Sequence, residues 1–204
     1  MLHISDHNTT AKDKRLLRRK MRARRLQLTQ TEQSSAALDL LRQFSRTSIF
    51  RNAVRIACYY PNDGEIDPRP IIEYIWRSGK QCFLPIVVHR RLPLRFSRYQ
   101  RRYPLRENPY GILEPVVHRR DLVTAHNLEL ILVPLVAFDR NGSRLGMGAG
   151  LYDRTLSFLR TRKLWRAPLI IGVAHAFQEV DCLPKAPWDV HLHGIVTEKS
   201  FITI

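Results

Sequence analysis

The apolar residues of this chain fall into short runs that alternate with amphipathic segments. Unbroken or β-branched apolar runs predict strands at 54–60, 80–88, 92–99, 130–133 and 168–174, and a final strand or hairpin at 194–204. Apolar residues spaced three and four apart predict helices at 11–28, 31–44 and 71–79, with a further helix starting near Gly150. This alternation predicts an α/β fold in three layers, with helices on both faces of a mostly parallel twisted sheet.

The strand predicted at 130–133 is followed by a glycine-rich turn and then by a helical pattern. Gly146, Gly148 and Gly150 recur at every second position, Arg144 precedes them, and Asp153 lies in the first predicted helical turn. Glycines let backbone N–H groups approach a bound oxygen, and a helix N-terminus adds unpaired donors. The segment therefore favours a phosphate group, with Arg144 as a forked donor, whereas Asp153 suits a magnesium ion better than an anion.

Two known phosphate-binding loops do not match this segment. A P-loop ends in Gly-Lys-Ser or Gly-Lys-Thr, but Leu151 and Tyr152 follow Gly150 here. The dinucleotide fingerprint needs a wider spacing than that between Gly148 and Gly150, and the acid expected downstream of it is replaced by apolar residues. A merely flexible glycine loop remains an alternative, but such loops rarely carry flanking Arg and Tyr-Asp-Arg at a helix start.

Charge indicates an anionic ligand without choosing one. The 204 residues include 34 Lys or Arg and 18 Asp or Glu, a formal net charge of +16, which attracts nucleotides, polyglutamate tails or nucleic acid. Nine of the basic residues lie between Lys12 and Arg25, in the first predicted helix. Lys14 and Arg18 share one side of it, where like charges weaken the helix unless an anion binds. A solvated face or a nucleic-acid-binding arm is the alternative for most of the nine.

The remaining composition indicates a cytoplasmic domain. The three cysteines share no metal-ligand spacing and are expected to be reduced. The longest apolar runs are far shorter than the ~20 residues of a membrane helix, and the N-terminus does not resemble a secretory signal. We expect a polar extension at 1–10 and a single domain at 11–204, since this length suits one hydrophobic core.

The run from Val133 to Leu156 closely resembles the signature of the 5-formyltetrahydrofolate cyclo-ligases, also called methenyltetrahydrofolate synthetases. Their loop usually reads Arg-Leu-Gly-x-Gly-x-Gly-Tyr-Tyr-Asp, and the matching residues are Arg144, Leu145, Gly146, Gly148, Gly150, Tyr152 and Asp153. Leu151 replaces the first tyrosine, Ala149 stands where glycine or lysine is common, and His193 stands where aspartate is frequent. The segment from Tyr110 to Pro115 resembles the Gly-Ile-x-Glu-Pro element of the same family.

The resemblance implies a Rossmann-like fold and an ATP-dependent reaction that closes 5-formyltetrahydrofolate to 5,10-methenyltetrahydrofolate. It implies that Arg144, Lys14 and Arg18 neutralise charge during phosphoryl transfer and that Mg²⁺ is held by Asp153 and Asp189. The residues implied to bind ATP are Lys14, Arg18, Arg144, Leu145, Gly146, Met147, Gly148, Ala149, Gly150, Leu151 and Tyr152.

The resemblance also implies that folate binds at Tyr60 and Glu65, and it makes Tyr110 a candidate stacking face. The sequence around Glu65 is by itself typical of a loop or helix-capping acid. The resemblance assigns Glu65 to the pterin, because a carboxylate can accept hydrogen bonds from its paired N–H groups. We expect a monomer that acts on small molecules rather than on a membrane or on nucleic acid. Two alternatives remain open: a basic nucleic-acid-binding module, and another small-molecule kinase that uses the same phosphate loop.

Overall fold

One seven-stranded sheet forms the centre of the molecule in the computed structural model, which describes residues 11–160, 167–184 and 189–204. The extension predicted at 1–10 and the residues at 185–187 of the predicted connection lie outside the described residues. The strands are β1 Arg55–Ala57, β2 Gln81–Ile86, β3 Arg95–Tyr99, β4 Leu105–Glu107, β5 Leu113–Pro115, β6 Leu130–Pro134, β7 Ala137–Phe138, β8 Arg144–Leu145, β9 Leu169–Val173, β10 Gly194–Val196 and β11 Phe201–Thr203.

The sheet order is β11-β10-β9-β6-β1-β2-β3. Its five inner strands pair in parallel, whereas β3 and β11 pair antiparallel at the two edges. Strands β4 and β5 form a separate hairpin, as do β7 and β8. The predicted α/β fold with a mostly parallel sheet is therefore confirmed.

The central strand β6 is buried on both faces. Leu130, Ile131, Leu132 and Val133 have no exposed surface. Leu130 and Leu132 pack into the cluster that covers one face of the sheet, whereas Ile131 and Val133 pack into the cluster on the other. A strand with helices or loops on both sides cannot alternate apolar with polar residues, which explains the unbroken apolar run.

Five α-helices and four short 3₁₀ segments cover the sheet within the described ranges. The helices are α1 Ala11–Leu26, α2 Gln30–Ser45, α3 Ser48–Asn52, α4 Arg69–Arg77 and α5 Leu151–Leu156; the 3₁₀ segments are Arg119–Asp121, Ala125–Asn127, Ser157–Arg160 and Ala176–Gln178. Residues of α2, α3 and α4 pack on one face of the sheet, and residues of α5 and several loops pack on the other. None of the described helices is long and apolar enough to cross a lipid bilayer.

The second helix begins at a capping box. The Thr29 hydroxyl accepts a hydrogen bond from the Glu32 N–H, and the Glu32 carboxylate accepts one from the Thr29 N–H, which satisfies two donors at the helix start. The apolar spacing of the sequence predicts a buried side of Ala37, Leu38, Leu41 and Phe44. This prediction is wrong at Leu38, whose surface is 51% exposed, whereas Leu40 is fully buried. Ala36, Leu40 and Phe44 form the buried stripe, and Leu38 lies on the opposite side because each helical residue advances by about 100°.

Several predicted elements are shorter than expected, β1 and α5 among them. Strand β1 covers only part of the 54–60 run, because the chain leaves the sheet after Ala57. Helix α5 has six residues and continues as a 3₁₀ turn, so its dipole contributes less to anion binding than a full helix would.

Helix α1 lies against the β7–β8 hairpin rather than against the sheet. Met21 packs with Val136, Ala137 and Leu145 in a small separate cluster. This contact places one side of α1 beside the glycine-rich loop that follows β8.

Candidate active site

A cavity of about 600 Å³ opens at the carboxyl ends of β1, β2 and β6. Its size is typical of a small-molecule site, and this edge of a parallel sheet is where ligands bind in open α/β folds. Every predicted site residue lines it: Lys14, Arg18, Tyr60, Glu65, Tyr110, Arg144, Leu145, Gly146, Met147, Gly148, Ala149, Gly150, Leu151, Tyr152, Asp153 and Asp189. Residues from distant parts of the chain thus share one chamber.

The glycine-rich loop, residues 146–150, is tied to α1. The Nε–H of Arg18 donates to the Gly146 carbonyl at 2.8 Å. Gly148 has a φ of +103° and Gly150 a φ of +65°, conformations that L side chains rarely adopt, and a Cβ at Gly148 would lie 3.5 Å from the Arg18 guanidinium carbon. The glycines therefore allow the loop to turn closely over the basic side of α1.

Arg144 and Asp153 pair with each other across the cavity wall. An Nη of Arg144 lies 2.6 Å from Asp153 Oδ1, and the other Nη donates to the Val190 carbonyl. The Arg144 side chain is 6% exposed and that of Asp153 is 39% exposed. The prediction assigned one to phosphate and the other to metal; because each neutralises the other here, a phosphate or a metal ion has to share or replace this ion pair.

Glu65 lies on the loop after β1, with its side chain 11% exposed. The Asn62 N–H donates to its Oε2 at 3.2 Å, and an Nη of Arg25 lies 3.9 Å from its Oε1. Burial raises the pKa of Glu65 to about 7, against the lowering effects of the Arg25 charge and the Asn62 N–H. Glu65 therefore changes between carboxyl and carboxylate near neutral pH.

Two tyrosines lie at the same cavity. The Arg69 guanidinium lies 5.9 Å from the Tyr60 ring centre, and Tyr110, 39% exposed, lies on the loop between β4 and β5. The N–H groups of Tyr110 and Ile112 donate to Asn108 Oδ1 at 2.9 and 3.2 Å. This Asn-centred turn fixes the shape of the loop, so Tyr110 is presented at the rim by its backbone.

The model of the 5-formyltetrahydrofolate cyclo-ligase family matches residues 10–198. The chain belongs to this family. The 5-formyltetrahydrofolate cyclo-ligase of Haemophilus influenzae is 37% identical over 183 residues, which cover 87% of this chain and 92% of that one. The Escherichia coli K12 protein of the same name is 39% identical over 143 residues, 70% of this chain and 76% of that one.

Solved structures of the family share the fold. The NMR structure of Aquifex aeolicus 5,10-methenyltetrahydrofolate synthetase superposes with a TM-score of 0.77 at 31% identity, covering 93% of this chain and 92% of that chain. The predicted family, the predicted enzyme class and the predicted fold are therefore confirmed.

The cyclo-ligase cavity offers two acids to a magnesium ion. Asp153 and Asp189 both line it, and Mg²⁺ is commonly held by one or two carboxylates together with phosphate oxygens and water. Among the described residues no three His, Cys, Asp or Glu side chains form a group that could hold a metal. The donor set fits a magnesium ion that arrives with a nucleotide better than a metal held by protein ligands alone. His193, which departs from the family pattern, accepts a hydrogen bond from the Ile170 N–H.

Several residues of the site were not predicted. Arg22, Asp63 and Tyr59 line the cavity, and Arg25 lies directly behind it. Arg22 and Arg25 both pair with Asp63, at 2.6 and 2.7 Å, and the Tyr59 hydroxyl donates to the Ile66 carbonyl at 2.7 Å. One signal was present for Arg25: it follows Met21 by four residues, so it occupies an apolar stripe where a solvated arginine does not belong.

Proposed function

We propose that this cyclo-ligase converts 5-formyltetrahydrofolate and ATP into 5,10-methenyltetrahydrofolate, ADP and phosphate. The names of its relatives support the folate substrate and the product. The observation that carries the proposal is the single cavity that joins the glycine-rich loop and its cations to Glu65 and two tyrosines. A nucleotide at the loop and a folate at Glu65 would have their reactive groups in the same chamber.

The proposed reaction has two steps. The formyl oxygen attacks the γ-phosphorus of ATP and ADP leaves, which turns that oxygen into part of a good leaving group. N10 then attacks the formyl carbon and loses its proton, and the carbon–oxygen bond breaks to release phosphate and leave the amidinium. Phosphoryl transfer depends mainly on positioning and on neutralising charge, so no nucleophilic side chain is needed.

Groups around the glycine-rich loop neutralise the negative charge of the phosphates in the proposed reaction. Lys14 and Arg18 supply cations from α1, the loop supplies backbone N–H donors, and Arg144 supplies a further guanidinium once it shares its contact with Asp153. Asp153 and Asp189 would hold a magnesium ion together with the nucleotide, and that ion would supply additional neutralisation of the phosphate charge.

The substrate's pterin is assigned to the other half of the cavity. The Glu65 carboxylate accepts hydrogen bonds from paired N–H groups of the pterin. The rings of Tyr60 and Tyr110 offer faces for the flat parts of folate.

The direct test mixes the protein with magnesium ATP and 5-formyltetrahydrofolate and follows the absorbance of the amidinium product. Product should form only when all components are present, with one phosphate released per product. A reaction without ATP, or a protein that forms no product, would contradict the proposal.

The same preparation separates the two alternatives. A nucleic-acid-binding module should bind polynucleotides with an affinity that falls linearly in log salt and should not turn over ATP. A different small-molecule kinase should hydrolyse or transfer the γ-phosphate without 5-formyltetrahydrofolate. ATP consumption that requires this folate favours the cyclo-ligase over both.

A further inference from the structure

Arg25 is a fully buried arginine that lies behind the cavity and does not line it. An Nη lies 2.7 Å from Asp63 Oδ2, while the Nη that lies 3.9 Å from Glu65 has no hydrogen-bond partner within the described residues, nor does Nε. A buried, incompletely bonded guanidinium is costly unless nearby negative charge compensates it. This cost suggests a role beyond packing.

The loop that carries Glu65 packs closely against Arg25. Asp63 has a φ of +53° and Gly64 a φ of +69°, and a Cβ on Gly64 would come within 3.0 Å of Arg25 Cβ and 3.1 Å of the Arg25 carbonyl. Arg22, on the same helix, also holds Asp63 through two hydrogen bonds of 2.6 and 3.1 Å. The contacts leave little freedom for the loop to move away from α1.

The charged and titratable neighbours of Glu65 come from several elements. Asp63, on its own loop, disfavours the carboxylate, whereas Arg25 on α1 favours it. Burial raises the pKa values of the Tyr59 and Tyr152 phenols, so both are neutral near pH 7. Burial lowers the pKa of His175, beside Arg25, to about 4, so it is neutral as well. Arg22 pairs with Asp63, so it affects Glu65 only through Asp63. Arg25 is therefore the nearby cation whose charge acts directly on Glu65.

We propose that Arg25 is a positioning residue that holds the Glu65 loop in place and favours the carboxylate form of Glu65, which accepts the substrate's N–H groups. Arg25 acts through Glu65 and touches no substrate. This inference rests on the proposed function of Glu65, so its test includes a measurement that needs no folate.

The first measurement is the protonation midpoint of Glu65 in the free protein, from NMR of ¹³C-labelled glutamate carboxyls, with Glu65→Gln identifying the signal. Arg25→Gln should raise this midpoint by about one pH unit or more, the usual effect of losing an opposite charge at this distance. Arg25→Lys, which retains a cation, should move it much less. A midpoint that stays unchanged in Arg25→Gln overturns the proposal.

The second measurement is the pH dependence of the Kd for 5-formyltetrahydrofolate. The acid limb, where affinity is lost, should move to higher pH in Arg25→Gln by the same amount as the NMR midpoint. In a Glu65→Gln background, Arg25→Gln should not change the pH dependence further. A limb that moves equally in both backgrounds would mean that Arg25 acts by another route.

The outcomes separate the two proposals. A wild-type protein that binds no 5-formyltetrahydrofolate would refute the proposed function, while the NMR midpoints still decide whether Arg25 controls Glu65. If Arg25→Gln does not fold, Asp63→Asn is the second variant. This variant removes the carboxylate that repels Glu65, and Glu65 becomes the remaining acid paired with Arg25. The protonation midpoint of Glu65 should therefore fall. An unchanged or raised midpoint overturns the proposal.

Discussion

Replacing Glu65 with Gln tests the assignment of the folate half of the cavity. The variant keeps the size of a side chain that is 11% exposed, but it loses the charge that accepts N–H groups. A hydrogen bond to a charged group contributes about 1.5–3 kcal/mol, so the Kd for 5-formyltetrahydrofolate should rise by about 10- to 150-fold. ATP affinity should stay near the wild-type value, because the glycine-rich loop, Lys14 and Arg18 are separate from Glu65.

The pH dependence gives a second signature. The pKa of Glu65 is about 7 in the folded protein, above its ordinary value of 4.5. Wild-type folate affinity should therefore rise as pH increases through about 7, and the Gln variant should lack this rise. The raised pKa also means that the carboxyl contributes stability below about pH 4.5, and that this contribution is lost as pH rises through 7. At pH 8 the Gln variant should be more stable by up to about 3 kcal/mol.

Calorimetric titration with each ligand between pH 6 and 9 measures both affinities, and urea unfolding measures stability. Glu73→Gln is the matched control, since Glu73 lies outside the cavity in a surface ion pair with Arg101; it should change neither affinity. An equal loss of ATP and folate affinity in the Glu65 variant, or a retained folate pH profile, would refute the reasoning.

Three further variants test the nucleotide half. Gly148→Ala should lower the free energy of unfolding by about 1–2 kcal/mol because of its φ of +103°, whereas Gly146→Ala meets no atom within 4 Å and should be nearly neutral; similar urea midpoints would contradict this. Arg18→Met should raise the Kd for ATP about tenfold or more and spare folate, with exposed Arg15→Met as control; an unaltered ATP titration counts against the assignment. Asp153→Asn should shift activity to higher magnesium concentrations, and an unchanged magnesium response in the turnover assay rules out its metal role.

Much of the fold was predictable because its causes are local. The unbroken apolar run at Leu130–Val133 indicates a strand that is buried on both faces, and Thr29 followed by Glu32 indicates the start of a helix. The glycine-rich segment was equally informative, because close backbone approach needs glycine whatever surrounds it. The predictions that were wrong concern positions whose structure depends on residues distant in the sequence. The side of α2 that is buried depends on what packs against the helix, and Leu38 lies outside it. The end of β1 depends on where the chain leaves the sheet.

The candidate site divides in the same way. Arg144 and Asp153 were predicted as site residues from the contiguous signature, but their mutual ion pair was not predicted, because two residues that are both assigned to a ligand can also neutralise each other. The role of a charged side chain depends on its partner's position in space. Spacing along the chain indicates such a partner only within one helix or one turn.

Sequence alone determined the family and the order of the main sheet strands and of helices α1, α2, α4 and α5, and it predicted which residues bind a phosphate and a folate; it missed the two hairpins and α3. Tertiary structure decided that α1, the loop after β1 and the glycine-rich loop meet at one edge of the sheet. It also decided that Arg25, 38 residues away from Asp63 along the chain, is buried against the loop that carries Glu65. The physical reason is that burial and ion pairing depend on distances across the fold. Removing Glu65 from water raises its pKa to about 7, a shift that no residue pattern encodes.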